Sequence, residues 1–152
     1  MIETGTYVDE ELQAGVLLCR SGDWARGVEI LSRLARDRGE PLPGVALSYL
    51  GRGLARAERR TREGLELCRR AAKEDFYQPD VFLNLGHTAL IARRRSEAWR
   101  AVEAGLALDE DHRGLLALRA RMGNRRPPVL RFLSRSNPLN VLLGQMRHAL
   151  RR

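Results

Sequence analysis

The feature that most limits how this chain folds is a glycine that returns at Ala14-Gly15, Leu50-Gly51 and Leu85-Gly86, at spacings of 36 and then 35 residues. A second landmark follows 12, 13 and 12 residues later, at Gly27-Val28-Glu29, Gly64-Leu65-Glu66 and Ala98-Trp99-Arg100. A third comes seven residues further on, at Leu34, Ala71 and Gly105. Internal periods of this length mark architectures in which one supersecondary unit stacks on the next. Within the third unit Phe82, Leu85, Ala89 and Ala92 recur at three and four residues, as do Ala98, Val102, Gly105 and Leu106. That is the period of one helix face. A mid-helix glycine costs about 1 kcal/mol relative to alanine, so its return at one register implies a neighbouring helix where a side chain would otherwise stand. Each unit reads as two amphipathic helices packed at small residues.

Composition agrees. Aromatics are few and Leu, Ala, Arg and Glu dominate, residues that lose little on entering a helix. An all-α fold is expected, and 152 residues suffice for one domain and a tail. The units run roughly over residues 8–43, 44–78 and 79–112, with Pro43 and Pro79 at first-turn positions. The second unit carries about one extra residue near Thr61. A stack leaves its last apolar face bare, and His112 to Met122 supplies a capping helix with Leu115, Leu116 and Leu118 toward the body. Gly123-Asn124 is a left-handed stop. The repeat domain with its cap is thus expected over residues 1–124.

Residues 125–152 differ in kind. Pro127-Pro128 forbids a helix, Asn137-Pro138 opens one, and Leu139, Leu142, Leu143, Met146 and Leu150 form its apolar stripe. The charge divides sharply: residues 1–112 hold 17 Arg and Lys against 19 Asp and Glu, a net of −2, while residues 113–152 hold 10 and none. The whole basic excess of a chain with net charge +8 therefore sits at one end.

Several function classes are not supported. His87, His112 and His148 have no Cys, Asp or Glu partner at a ligand spacing, so no metal is expected. No phosphate-binding glycine loop, nucleophile elbow or carboxylate pair is present, so neither a cofactor nor catalysis is expected. Cys19 and Cys68 stand alone in helical stretches and read as packing residues. Residues 1–15 include Glu3, Asp9, Glu10 and Glu11 and lack a signal-peptide pattern, and no apolar run is long enough to cross a membrane. A cytoplasmic location is the expectation.

The third unit, Pro79 to His112, resembles a tetratricopeptide repeat, with Phe82, Asn84-Leu85-Gly86, Glu97-Ala98, Gly105-Leu106 and Leu108-Asp109 on that family's signature positions. Gly22-Asp23-Trp24 is similar to the family's turn between paired helices. The sequence departs from the pattern at Glu110, where a proline is usual, and at Gly27 and Gly64, where alanine is usual. The resemblance, over about residues 8–112, implies a right-handed superhelical array of antiparallel helix pairs. It also implies a concave groove lined by the first helix of each pair: Leu12, Val16, Cys19 and Arg20, then Ser48, Arg52 and Arg56, then Asn84, His87 and Ile91. The first strip is mostly apolar, and the arginines suit an acidic or phosphorylated segment. Leu12, Val16 and Asp80 occupy places where chaperone-binding members carry amide or cationic side chains, so that clamp is not expected.

The function expected is a protein-binding scaffold or chaperone-like adaptor that holds a partner's peptide or helix in the groove. The alternative is an anionic-surface binder that meets membrane or nucleic acid through Arg125, Arg126, Arg131, Arg135, Arg147, Arg151 and Arg152. Nucleic acid is the less favoured target, because Phe132 is the tail's only aromatic. The tail stripe could instead cover apolar surface on the repeats or pair with a second copy.

Overall fold

The computed structural model describes residues 3–37, 41–123, 138, 141–143 and 146, with side chains from Glu10 onward. The chain forms two compact units, Met1–Met122 and Gly123–Arg152. Among the described residues of the first, seven helices follow one another: α1 (Glu3–Ser21), α2 (Trp24–Asp37), α3 (Gly44–Ala57), α4 (Thr61–Glu74), α5 (Pro79–Ile91), α6 (Arg95–Leu108) and α7 (Arg113–Met122). Three hairpins, α1/α2, α3/α4 and α5/α6, stack in chain order, with α7 closing the end. The first helices α1, α3, α5 and α7 lie side by side along one face. This is the neighbour-on-neighbour pattern of an α-solenoid, as the glycine register implies.

The glycines sit where the paired helices cross. A Cβ on Gly51 would lie 2.6 Å from the Gly64 carbonyl oxygen, and one on Gly64 would lie 2.2 Å from the Gly51 oxygen. In the first hairpin a Cβ on Gly27 would meet Cys19 Sγ at 2.4 Å and the Gly15 oxygen at 2.9 Å. The third hairpin is wider: a Cβ on Gly86 would stand 3.7 Å from the Ala98 oxygen. Alanine at the opposing position spreads the backbones by about the space its own methyl needs.

Turns within the hairpins follow the same register. The left-handed residue lies seven positions after the landmark glycine at Gly22 (φ 98°) and Arg93 (φ 58°), and eight after it at Arg59 (φ 58°). The extra residue of the second unit is therefore absorbed at this turn. Between hairpins, Pro79 occupies the first turn of α5. Pro43 stands one residue before α3, at its N-cap, rather than inside the first turn. Two apolar clusters result. Val28, Leu31, Leu34, Leu47, Leu50 and Leu54 form the first, and Leu65, Val102, Leu106, Leu115, Leu118 and Met122 the second. Leu115, Leu118 and Met122 of α7 are buried, and Gly123 (φ 70°) ends that helix. Among the described residues no helix is long and apolar enough to cross a membrane.

In the second unit Pro138, Val141–Leu143 and Met146 are helical, and Val141, Leu142 and Met146 are exposed. The tail arginines, Leu139 and Leu150 lie outside the described residues.

Candidate functional site

The face built by α1, α3, α5 and α7 carries two hollows. One, of about 290 Å³, lies between α1 and α3 and is lined by Leu12, Val16, Leu17, Pro43 and Val45 with Arg20 at its edge. It is apolar because α1 turns Leu12 and Val16 toward the next hairpin while Leu17 remains largely exposed. The other, of about 350 Å³, is polar and is lined by Arg20, Trp24, Arg52, Asp80, Leu83 and His112. Arg20 thus stands between the two.

Residues expected to line the groove divide into three groups. Leu12 and Val16 line the apolar hollow, and Arg20, Arg52, Arg56, His87 and Ile91 are each at least partly exposed. Ser48 and Asn84 are fully buried, as is Cys19, so a partner laid in the groove does not touch them. The reason is packing between successive first helices. Asn84 Nδ2 donates to Ser48 Oγ across α5 and α3 (2.9 Å), and Ser48 Oγ donates to the Val45 carbonyl (2.7 Å). Thr88 Oγ1 donates to the Asn84 carbonyl (2.8 Å), and Cys68 Sγ lies 3.4 Å from both Thr88 Oγ1 and the Ser48 carbonyl. Buried polar groups are thereby satisfied, and Asn84 Oδ1 is left to accept a hydrogen bond from Arg52 Nη1 at 3.0 Å.

Arg20 is not a free cation. Its Nη2 pairs with Asp80 Oδ2 at 2.7 Å, joining the end of α1 to the start of α5, and His112 Nε2 reaches Asp80 Oδ1 at 3.2 Å. The other ring nitrogen, His112 Nδ1, accepts from the Leu115 amide at 3.3 Å and caps α7. These two bonds are both made by the neutral Nε2–H tautomer. Such pairs span 60 and 32 residues, and no local spacing could have revealed them.

Arg52 and Arg56 are placed differently. The Arg52 guanidinium lies 4.8 Å from the Trp24 ring centroid and that of Arg56 5.8 Å, both within cation–π range. Trp24, noted in the sequence only as part of a turn, is the platform on which both arginines rest. Burial pulls the Arg52 pKa down to about 10. His87 is lowered to about 4, first by burial and then by the charges of Arg52, Arg121 and Arg56, which brings Arg121 of α7 into the same electrostatic environment. Burial also raises the thiols, Cys19 to about 11 and Cys68 to about 12, so both are neutral at ordinary pH. The arrangement can bind an anion beside an apolar strip.

No family model matches the chain. It is 45% identical over 56 residues to human tetratricopeptide repeat protein 34, a stretch covering 37% of this chain and 10% of that relative. The chain thus spans about a tenth of the length of the curated relative it matches. Among solved structures it is similar to the tetratricopeptide-repeat domain of Arabidopsis OM64, with a TM-score of 0.62 at 13% identity, over 78% of this chain and 95% of that domain.

Proposed function

We propose that the chain is a protein-binding scaffold or adaptor that holds an acidic segment of a partner along the α1, α3, α5 and α7 face, a reading supported by its likeness to a tetratricopeptide-repeat protein over 56 residues and to a tetratricopeptide-repeat domain in fold. One observation carries this reading: Arg52 and Arg56 rest on Trp24, with no carboxylate within ion-pairing distance among the described residues, beside an apolar hollow. Leu12, Val16 and Leu17 supply apolar contact. Arg52 and Arg56 supply charge, and Ile91 extends the contact at the end of α5. Ser48 and Asn84 act from beneath, holding Arg52 in place.

Reversing both charges, Arg52→Glu with Arg56→Glu, should abolish partner capture while circular dichroism shows the helices unchanged. Full capture by the double variant would reject the groove.

The uneven charge favours one further role. Ten basic and no acidic residues in 113–152 suit attraction to an anionic surface through the tail. Deleting residues 125–152 should then abolish binding to vesicles containing phosphatidylserine, and raising the salt should weaken binding by the intact chain. Binding that survives either change would dismiss this role.

A further inference from the structure

A guanidinium that gives up water must recover the lost hydration from a counter-charge or from hydrogen bonds. Among the described residues Arg52 recovers it from neutral groups, the Asn84 side-chain oxygen and the Trp24 ring. Arg56 shares that ring, and Arg121 acts with them on the His87 imidazole. Among the described residues none of the three has a carboxylate within ion-pairing distance. By contrast Arg20, Arg33, Arg60, Arg69 and Arg70 each have one at 3.0 Å or less. Three positive charges from α3 and α7 are therefore without a carboxylate partner among the described residues, whereas Arg20, which lines the same hollow as Arg52, is paired with Asp80.

We propose that Arg52 and Arg56, resting on Trp24, together with Arg121, whose charge acts with theirs on His87, form a site for the phosphate of a phosphorylated segment of a partner protein, and that the site prefers a phosphomonoester to a carboxylate. The proposal rests on the groove reading above and names the ligand of the same site. A phosphomonoester brings about −1.5 to −2 charges and three acceptor oxygens at neutral pH, whereas a carboxylate brings one charge and two oxygens. A carboxylate saturates one guanidinium fork and leaves two arginines uncompensated. His87 stays neutral at ordinary pH, so it adds hydrogen-bonding capacity without further charge. A protein segment fits better than a lipid surface or RNA. Arg52 is half-buried between α3 and α5, where a flat membrane does not reach, and the Trp24 ring on which a base would stack already carries two guanidiniums.

The test uses the full chain carrying Trp99→Phe, so that Trp24 fluorescence reports the site. Probes are an alanine-leucine pentapeptide with serine, glutamate or phosphoserine at its centre, inorganic phosphate, and phosphatidic acid vesicles. The phosphoserine peptide should bind at least about tenfold more tightly than the glutamate peptide, since one further charge-assisted contact is worth that much. Arg56→Gln and Arg121→Gln, both at exposed positions, should each erase most of that preference. Equal binding of the phosphoserine and glutamate peptides would overturn the proposal, as would a preference untouched by Arg121→Gln. Inorganic phosphate or vesicles matching the phosphopeptide would overturn the assignment to a protein segment. If the peptides bind equally while charge reversal at Arg52 and Arg56 still abolishes partner capture, the phosphate preference fails and the groove stands. If capture also survives that reversal, both fail.

Discussion

At the scale of single residues the landmark glycines are not interchangeable. Gly51 and Gly64 face each other's carbonyl oxygens, and a backbone cannot step aside as a side chain can. Gly51→Ala should destabilise the fold by about 1–3 kcal/mol, the usual cost of overpacking. At Gly86 the nearest atom is Leu118 Cδ2 at 3.0 Å, the tip of a flexible side chain. There the gain of up to about 1 kcal/mol from replacing a helical glycine should cancel the strain or exceed it. Urea unfolding of the two variants measures both, and equal losses would mean that the crossing geometry does not set the cost. The shared register of these glycines was legible in the sequence, but their different tolerances were not. Gly51 faces glycine and Gly86 faces alanine, and how far apart that leaves the backbones is known only once the helices are docked.

At the scale of elements the decisive piece is α7. It has no partner hairpin, yet it buries Leu115, Leu118 and Met122 against α5 and α6. Without it the apolar side of Val102 and Leu106 would meet water, which is why a stack needs a terminal cap. Leu115→Ala should cost about 2–5 kcal/mol, as for other fully buried leucines. It should also speed amide hydrogen exchange in α6 more than in α2, because each hairpin leans mainly on its neighbours. Uniform acceleration across all helices would show that the array unfolds as one unit. The cap's existence was legible from the leucines after His112, and its buried side from their spacing. The bond from His112 to Asp80 was not, because it depends on how α5 and α7 are juxtaposed.

For the whole molecule, stability should depend on pH in a direction set by His87. Burial and three arginines lower its folded pKa from 6.5 to about 4. Between these values the unfolded chain binds a proton that the folded chain does not, so stability falls as pH drops through this window and levels off below it. Glu97 pulls the same way at lower pH: hydrogen bonding to Arg69 lowers its pKa, and that support is lost on protonation. The melting temperature should therefore fall on acidification from pH 7 to 4, and His87→Gln should flatten the upper part of that fall. A parallel curve for the variant would remove His87 as a cause.

The repeat number, the helix pairs and the small residues at their crossings are written in the order of the amino acids, because helix periodicity and the exclusion of side-chain volume act over tens of residues. The groove lining at Leu12, Val16, Arg52 and Arg56 was implied by the resemblance to tetratricopeptide repeats rather than by spacing. Which polar side chains reach solvent was decided by docking one hairpin on the next. That step buried Ser48 and Asn84, neutralised Arg20 with Asp80, and set two arginines on Trp24. Helix faces repeat locally and can be read from spacing, whereas ion pairs and stacked rings join residues that meet only after the chain has folded.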